Sequence, residues 1–86
     1  MIFSLSKNDF VFLQEHSEKE TSEMMRITEE NSEKVFFSVG DISEFQGLIN
    51  DAIVLFGMNN QDTVNEIGKR LYKIYDEIYF QKHNMI

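Results

Sequence analysis

Between positions 42 and 56, the apolar residues Ile42, Phe45, Leu48, Ile49, Ala52, Ile53 and Phe56 recur at three- and four-residue spacing. That spacing lines one side of an α-helix with a continuous apolar stripe, which must be covered by another element. Both ends are marked. Asp41 stands where a cap belongs, with Glu44 three residues on to complete a capping box, and Gly57 sits at the position of a left-handed C′ residue. The pattern predicts a helix over 42–56.

The cover is supplied a few residues downstream. Met58–Asp62 is a polar connection, after which Val64, Ile67, Leu71, Ile74, Tyr75 and Ile78 form a second helical stripe. Lys69, Arg70 and Lys73 lie on its other side. Thr63 and Glu66 make a second capping box, with Asp62 as a competing cap, and the helix is expected over 63–80. A connection this short folds two helices into an antiparallel αα-hairpin, packed through Phe45, Leu48, Ile49, Ile53, Ile67, Leu71 and Ile74. Gly47 and Gly68 fall inside these helices, where each costs about 1 kcal/mol relative to alanine. For Gly68, close approach of another backbone is one explanation and simple tolerance of a surface glycine is the other.

Upstream, Met24–Thr28 and Lys34–Val39 are short β-favouring runs flanking the polar turn Glu29-Glu30-Asn31-Ser32-Glu33. Met25 and Ile27 alternate with polar neighbours, as do Val35, Phe37 and Val39, which reads as a β-hairpin. Two strands alone are marginal in water. They need the helices on one face, and a third strand or a second subunit is a candidate for an edge. The N-terminal segment supports two readings. Ser6-Lys7-Asn8-Asp9 resembles a cap for a helix over 7–18 presenting Phe10, Leu13 and Ser17; alternatively Ile2–Leu5 and Phe10–Leu13 are strands around the turn Ser6–Asp9. The capped start and the polar Gln14–Glu20 tail favour helix. The expected architecture is a single small α+β domain over residues 1–86, in the order α-β-β-α-α, with the β-hairpin packed on the C-terminal αα-hairpin.

Length and composition narrow the chemistry. A chain of 86 residues suits one domain with a modest core. It contains no cysteine and no proline, which removes disulfides, thiolate zinc sites and cysteine nucleophiles. The opening MIFSLSKNDF has neither a basic segment nor a sustained apolar one, and the longest apolar run, Ala52–Phe56, is five residues. A secretory signal and a membrane span are therefore not expected, and the cytoplasm is the expected location. Phe, Tyr, Met, Ile, Asn and Lys account for 38 of the 86 residues. These have AT-rich codons, which suits a low-GC bacterium or its phage.

Catalytic signatures are missing. His16 lies in a polar stretch and His83 in a frayed tail beyond the second helix, neither in a segment expected to frame a rigid pocket. Glu15, His16, Glu18, Lys19 and Glu20 read as helix-surface pairing rather than a metal site, and Asn59–Glu66 lacks the calcium-loop pattern. The four glycines are isolated, so no phosphate loop exists. Neither a cofactor nor a metal is expected, and nothing suggests an enzyme.

Two features stand out. Glu15–Glu33 holds seven acids against Lys19 and Arg26, a net of −5 within a chain of −7. The net charge of −7 disfavours direct contact with nucleic acid or an anionic membrane, and the stretch favours a basic protein partner, through Glu29, Glu30 and Glu33. Its plainer reading is a solvated loop. The second feature is Tyr72, Tyr75 and Tyr79 at i, i+3, i+7, with Phe80 alongside. Tyr72, Tyr79 and Phe80 flank the core stripe and are candidates for anchoring a partner or a second copy, or for covering the sheet with their hydroxyls in water. The functional expectation is a non-catalytic protein-interaction or regulatory module. The alternative is an inhibitor or immunity-type protein whose acidic surface blocks a basic toxin, nuclease or DNA-binding protein.

Overall fold

A computed structural model of the protein describes residues 1–59 and 63–84. The elements run β1 (Ile2–Ser6), α1 (Lys7–Glu15), α2 (Lys19–Met24), β2 (Arg26–Glu30), β3 (Lys34–Ser38), α3 (Ile42–Phe56), the short pair β4 (Met58–Asn59) and β5 (Thr63–Val64), and α4 (Glu66–Asn84). The fold is α+β, with a β-hairpin packed on an antiparallel αα-hairpin. Its order differs from α-β-β-α-α by a strand ahead of the first helix, a second helix after it, and the short β4–β5 pair between the last two helices.

The N-terminal segment takes one element from each of its two readings. Ile2–Ser6 is a strand, and Phe10–Leu13 is helical. Ser6 ends the strand and caps the helix at once, its Oγ accepting from the Asp9 amide at 3.2 Å. Phe10 and Leu13 are the buried residues of α1. The helix stops at Glu15 rather than near 18. His16 takes a non-helical backbone with φ −118°, and the Ser17 hydroxyl donates to the Leu13 carbonyl. Met24, expected in the hairpin, instead ends α2, so β2 begins at Arg26.

β3 is the central strand of a three-stranded antiparallel sheet ordered β1-β3-β2. Phe3 stands opposite Phe37 and Leu5 opposite Val35, so these four side chains share one face, and all are buried. Of the two candidates for an edge, a third strand is present as β1, and α4 closes its outer side. The Gln81 amide donates to the Ser4 carbonyl at 2.8 Å, and its Oε1 accepts from the Ser4 amide at 2.9 Å. A side-chain amide here stands in for a neighbouring strand, satisfying two backbone groups that β3 does not reach. Among the described residues β2 has no such cover. All five of its residues are exposed, and a bulge interrupts its register between Ile27 and Glu29. Ile27 lies opposite the buried Phe37, yet it is 49% exposed because the helices do not extend over that margin.

Phe3, Phe37 and Phe45 form the centre of the core, with ring centroids 6.0–6.5 Å apart in tilted and edge-on pairs. Burying a side chain of this size contributes about 1.5–3 kcal/mol. Around them pack Phe10, Leu13, Val35, Ile49, Ile53, Leu71, Ile74 and Ile78. Of the seven residues expected to hold the helix pair together, Phe45, Ile49, Ile53, Leu71 and Ile74 are buried, while Leu48 and Ile67 are half-buried. Phe56, placed on the core stripe by spacing, is 41% exposed. It is the last residue of α3, where the chain turns away from the core.

α3 matches 42–56 to the residue. Asp41 Oδ1 accepts from the Glu44 amide at 3.0 Å, which is one half of the expected capping box. Gly57 has φ −105°, so it is not a left-handed residue. Its need for glycine is spatial. A Cβ on Gly57 would meet the Ile53 carbonyl oxygen at 2.7 Å and the Gly68 amide nitrogen at 2.9 Å. Gly68 is buried against the same spot, where a Cβ would lie 2.6 Å from Val64 Cγ1. The end of α3 and the first turn of α4 therefore touch backbone to backbone, and of the two explanations for Gly68, close approach holds.

α4 starts at Glu66 rather than 63, because Thr63 and Val64 pair with Met58 and Asn59 in a small antiparallel hairpin. Asn65, not Thr63, caps the helix: its Oδ1 accepts from the Gly68 amide at 2.9 Å, while its own amide donates to the Gly57 carbonyl at 2.8 Å. The competing cap Asp62 lies outside the described residues. At the other end α4 runs four residues past the expected 80.

Candidate functional site

The residues singled out by sequence fall on two separate surfaces. Tyr72, Tyr79 and Phe80 are on the outward side of α4, 41%, 51% and 61% exposed. At 100° per residue, Tyr72, Asp76, Tyr79, Phe80 and His83 make one stripe along the helix. His83 extends it by packing on Tyr79, with ring centroids 4.2 Å apart. Tyr75 turns inward and packs against the core.

Glu29, Glu30 and Glu33 are all exposed on the hairpin. Asn31 shapes the turn between the strands by accepting from the Glu33 and Lys34 amides, both at 2.8 Å, an Asx arrangement that presents the acids outward. Glu30 pairs with Lys7 at 3.4 Å. Because α4 lies along β1 and the acids lie on β2 and its turn, the sheet separates the aromatic stripe from the acidic hairpin.

A third assembly went unrecognised in the sequence. A depression of about 430 Å³ lies between α1 and α4, lined by Phe12, Glu66, Ile67, Lys69, Arg70 and Lys73. Arg70 is its centre. Its Nε donates to Asp9 Oδ1 at 3.3 Å, and its guanidinium carbon sits 4.2 Å from the centroid of the Phe12 ring. His16 stacks on Phe12 with centroids 4.1 Å apart, and its Nδ1 donates to the Phe12 carbonyl at 3.0 Å. Lys69 pairs with Glu66 at 3.3 Å. Lys73 also lines an adjoining depression of about 290 Å³ near Asp9 and Lys34. The sequence signal for this place was three cations within five residues of an otherwise acidic chain. What hid it was Phe12, which reaches α4 only through the tertiary fold.

Among the described residues no three His, Asp or Glu side chains converge as a metal site would require, and no helix is long and apolar enough to cross a membrane. No protein-family model matches the chain, and neither a curated protein nor a solved structure shows significant similarity to it.

Proposed function

We propose that the chain is a small acidic protein-interaction or regulatory module, acting in the cytoplasm and without catalytic activity of its own. The observation that carries this reading is the outer stripe of α4, where three large rings stand in water beside a core that needs none of them. Exposed aromatic residues grouped on one rigid element are the usual anchors of protein interfaces, because they cover much area for little lost side-chain freedom. The partner is another protein or a second copy of the chain.

The double variant Tyr79→Ser, Phe80→Ser removes two of the rings from positions outside the core. Affinity capture from the native host, with parent and variant as parallel baits, is expected to hold a partner on the parent and lose it on the variant. Light scattering reports self-association directly. A parent that stays strictly monomeric at high concentration, and that captures the same proteins as its variant, overturns the reading.

A second reading rests on a different observation, the exposure of every residue of β2 together with Glu29, Glu30 and Glu33. In it, the acidic hairpin blocks a basic toxin, nuclease or DNA-binding protein, with charge complementarity speeding encounter. Reversing the three glutamates to lysine should then abolish binding, and added salt should weaken it.

A further inference from the structure

The depression between α1 and α4 has the parts of an anion site. Arg70 is held in two ways, by its Nε on Asp9 and by its face on Phe12. Among the described residues its Nη1 and Nη2 have no acceptor, so the outer edge of the guanidinium fork is oriented and unused. Freezing an arginine in advance removes much of the entropy a ligand would otherwise have to offset, and the fork matches two oxygens of a carboxylate or phosphate. Lys73, one turn further on, is exposed and makes no ion pair among the described residues. Lys69 stands on the near side, paired with the exposed Glu66. Asp9 and Glu66 stand among the three cations, and Glu15 and Glu77 border the adjoining depressions, so an oxyanion here is held by direct hydrogen bonds to Arg70 and Lys73 rather than by net charge. Phe12 and Ile67 supply an apolar wall beside these donors. A few convergent polar groups against apolar lining, in a volume of several hundred Å³, is the usual make-up of a small-ligand site.

We propose that this groove binds a small organic oxyanion, a carboxylate or phosphate carried on an apolar ring or chain. The oxyanion lies on the Arg70 fork, Lys73 neutralises it from the following turn, and the apolar part rests on Phe12 and Ile67. The groove is separate from the aromatic stripe of α4, so failure of this proposal leaves the interaction reading standing, and the reverse.

The test is a titration of the full chain followed by amide nitrogen–proton correlation spectra, using four probes. Phenyl phosphate and 3-phenylpropionate carry both the ring and the oxyanion, inorganic phosphate lacks the ring, and benzyl alcohol lacks the charge. The expected result is saturable shifts at Phe12, Ile67, Arg70 and Lys73 with both ring-bearing anions, and weaker binding of the other two probes. Whichever of phenyl phosphate and 3-phenylpropionate binds more tightly identifies the oxyanion. Arg70→Lys keeps the charge but removes the fork, and should weaken binding about tenfold. Lys73→Gln, at an exposed and unpaired position, keeps the fold whatever Arg70→Lys does, and should weaken binding about threefold. Equal binding of benzyl alcohol, unsaturable shifts spread to Lys19 and Arg26, or unchanged affinity in a folded Arg70→Lys or Lys73→Gln chain overturns the proposal.

Discussion

Three glycines sit in or at the ends of α3 and α4, and their surroundings differ. Gly47 has nothing within 4 Å of where a Cβ would be, on an exposed side of α3. Gly68 has the Gly57 carbonyl carbon at 3.0 Å and Val64 closer still. The same substitution should therefore have opposite signs. Gly47→Ala is expected to stabilise by about 0.5–1 kcal/mol, through helix propensity and a less free unfolded chain. Gly68→Ala gains that propensity but forces two backbones apart, and should destabilise by about 1–3 kcal/mol. Urea unfolding of both variants checks the pair. At this scale the sequence was partly legible. It marked Gly68 as needing a reason and offered backbone approach as one. It assigned Gly57 the wrong cause, because a glycine after a helix looks the same whether it is there for its φ or for its missing side chain.

The helical elements were the most readable, since a stripe at 3.6-residue period is a local signal. α3 and the core face of α4 follow from it. The start of α4 does not, because Thr63 and Asn65 are both acceptable caps and the choice between them is made by the β4–β5 pairing. Asn65→Ala should cost about 1 kcal/mol or more, since it removes the cap on the Gly68 amide, whereas Thr63→Ala should leave the helix start unmoved. Thermal melts and the amide spectrum of Gly68 check this. β1 was only half visible for the same kind of reason. Ile2–Ser6 is five residues long, and nothing within it says that Phe3 and Leu5 will meet Phe37 and Val35, 34 and 30 positions away. Among candidate site residues, the exposed rings of α4 could be placed from helical spacing alone. The Arg70–Phe12 contact could not, because it joins two helices far apart in sequence.

In the molecule as a whole, one helix does two unlike jobs. The inner side of α4 completes the core through Leu71, Ile74 and Ile78, and a single glutamine near its end holds the margin of the sheet. Gln81→Ala should leave the Ser4 amide and carbonyl to water, and is expected to destabilise by about 1–2 kcal/mol. Hydrogen exchange should show the Ser4 amide losing protection while Phe37 in the middle strand keeps its own. Gln81→Glu should destabilise further, since a carboxylate cannot donate to the Ser4 carbonyl and would also face the Glu77 carboxylate, to which the Gln81 amide donates at 2.8 Å.

The asymmetry of the sheet also limits how copies of this protein can aggregate. Fibrils grow when a protein offers two sticky sides, so that each newcomer presents a fresh one. Here the Ser4 groups on the outer side of β1 are already occupied from within by Gln81, whereas every residue of β2 is exposed. A visiting strand could dock there once, and the stack would then have nowhere to continue.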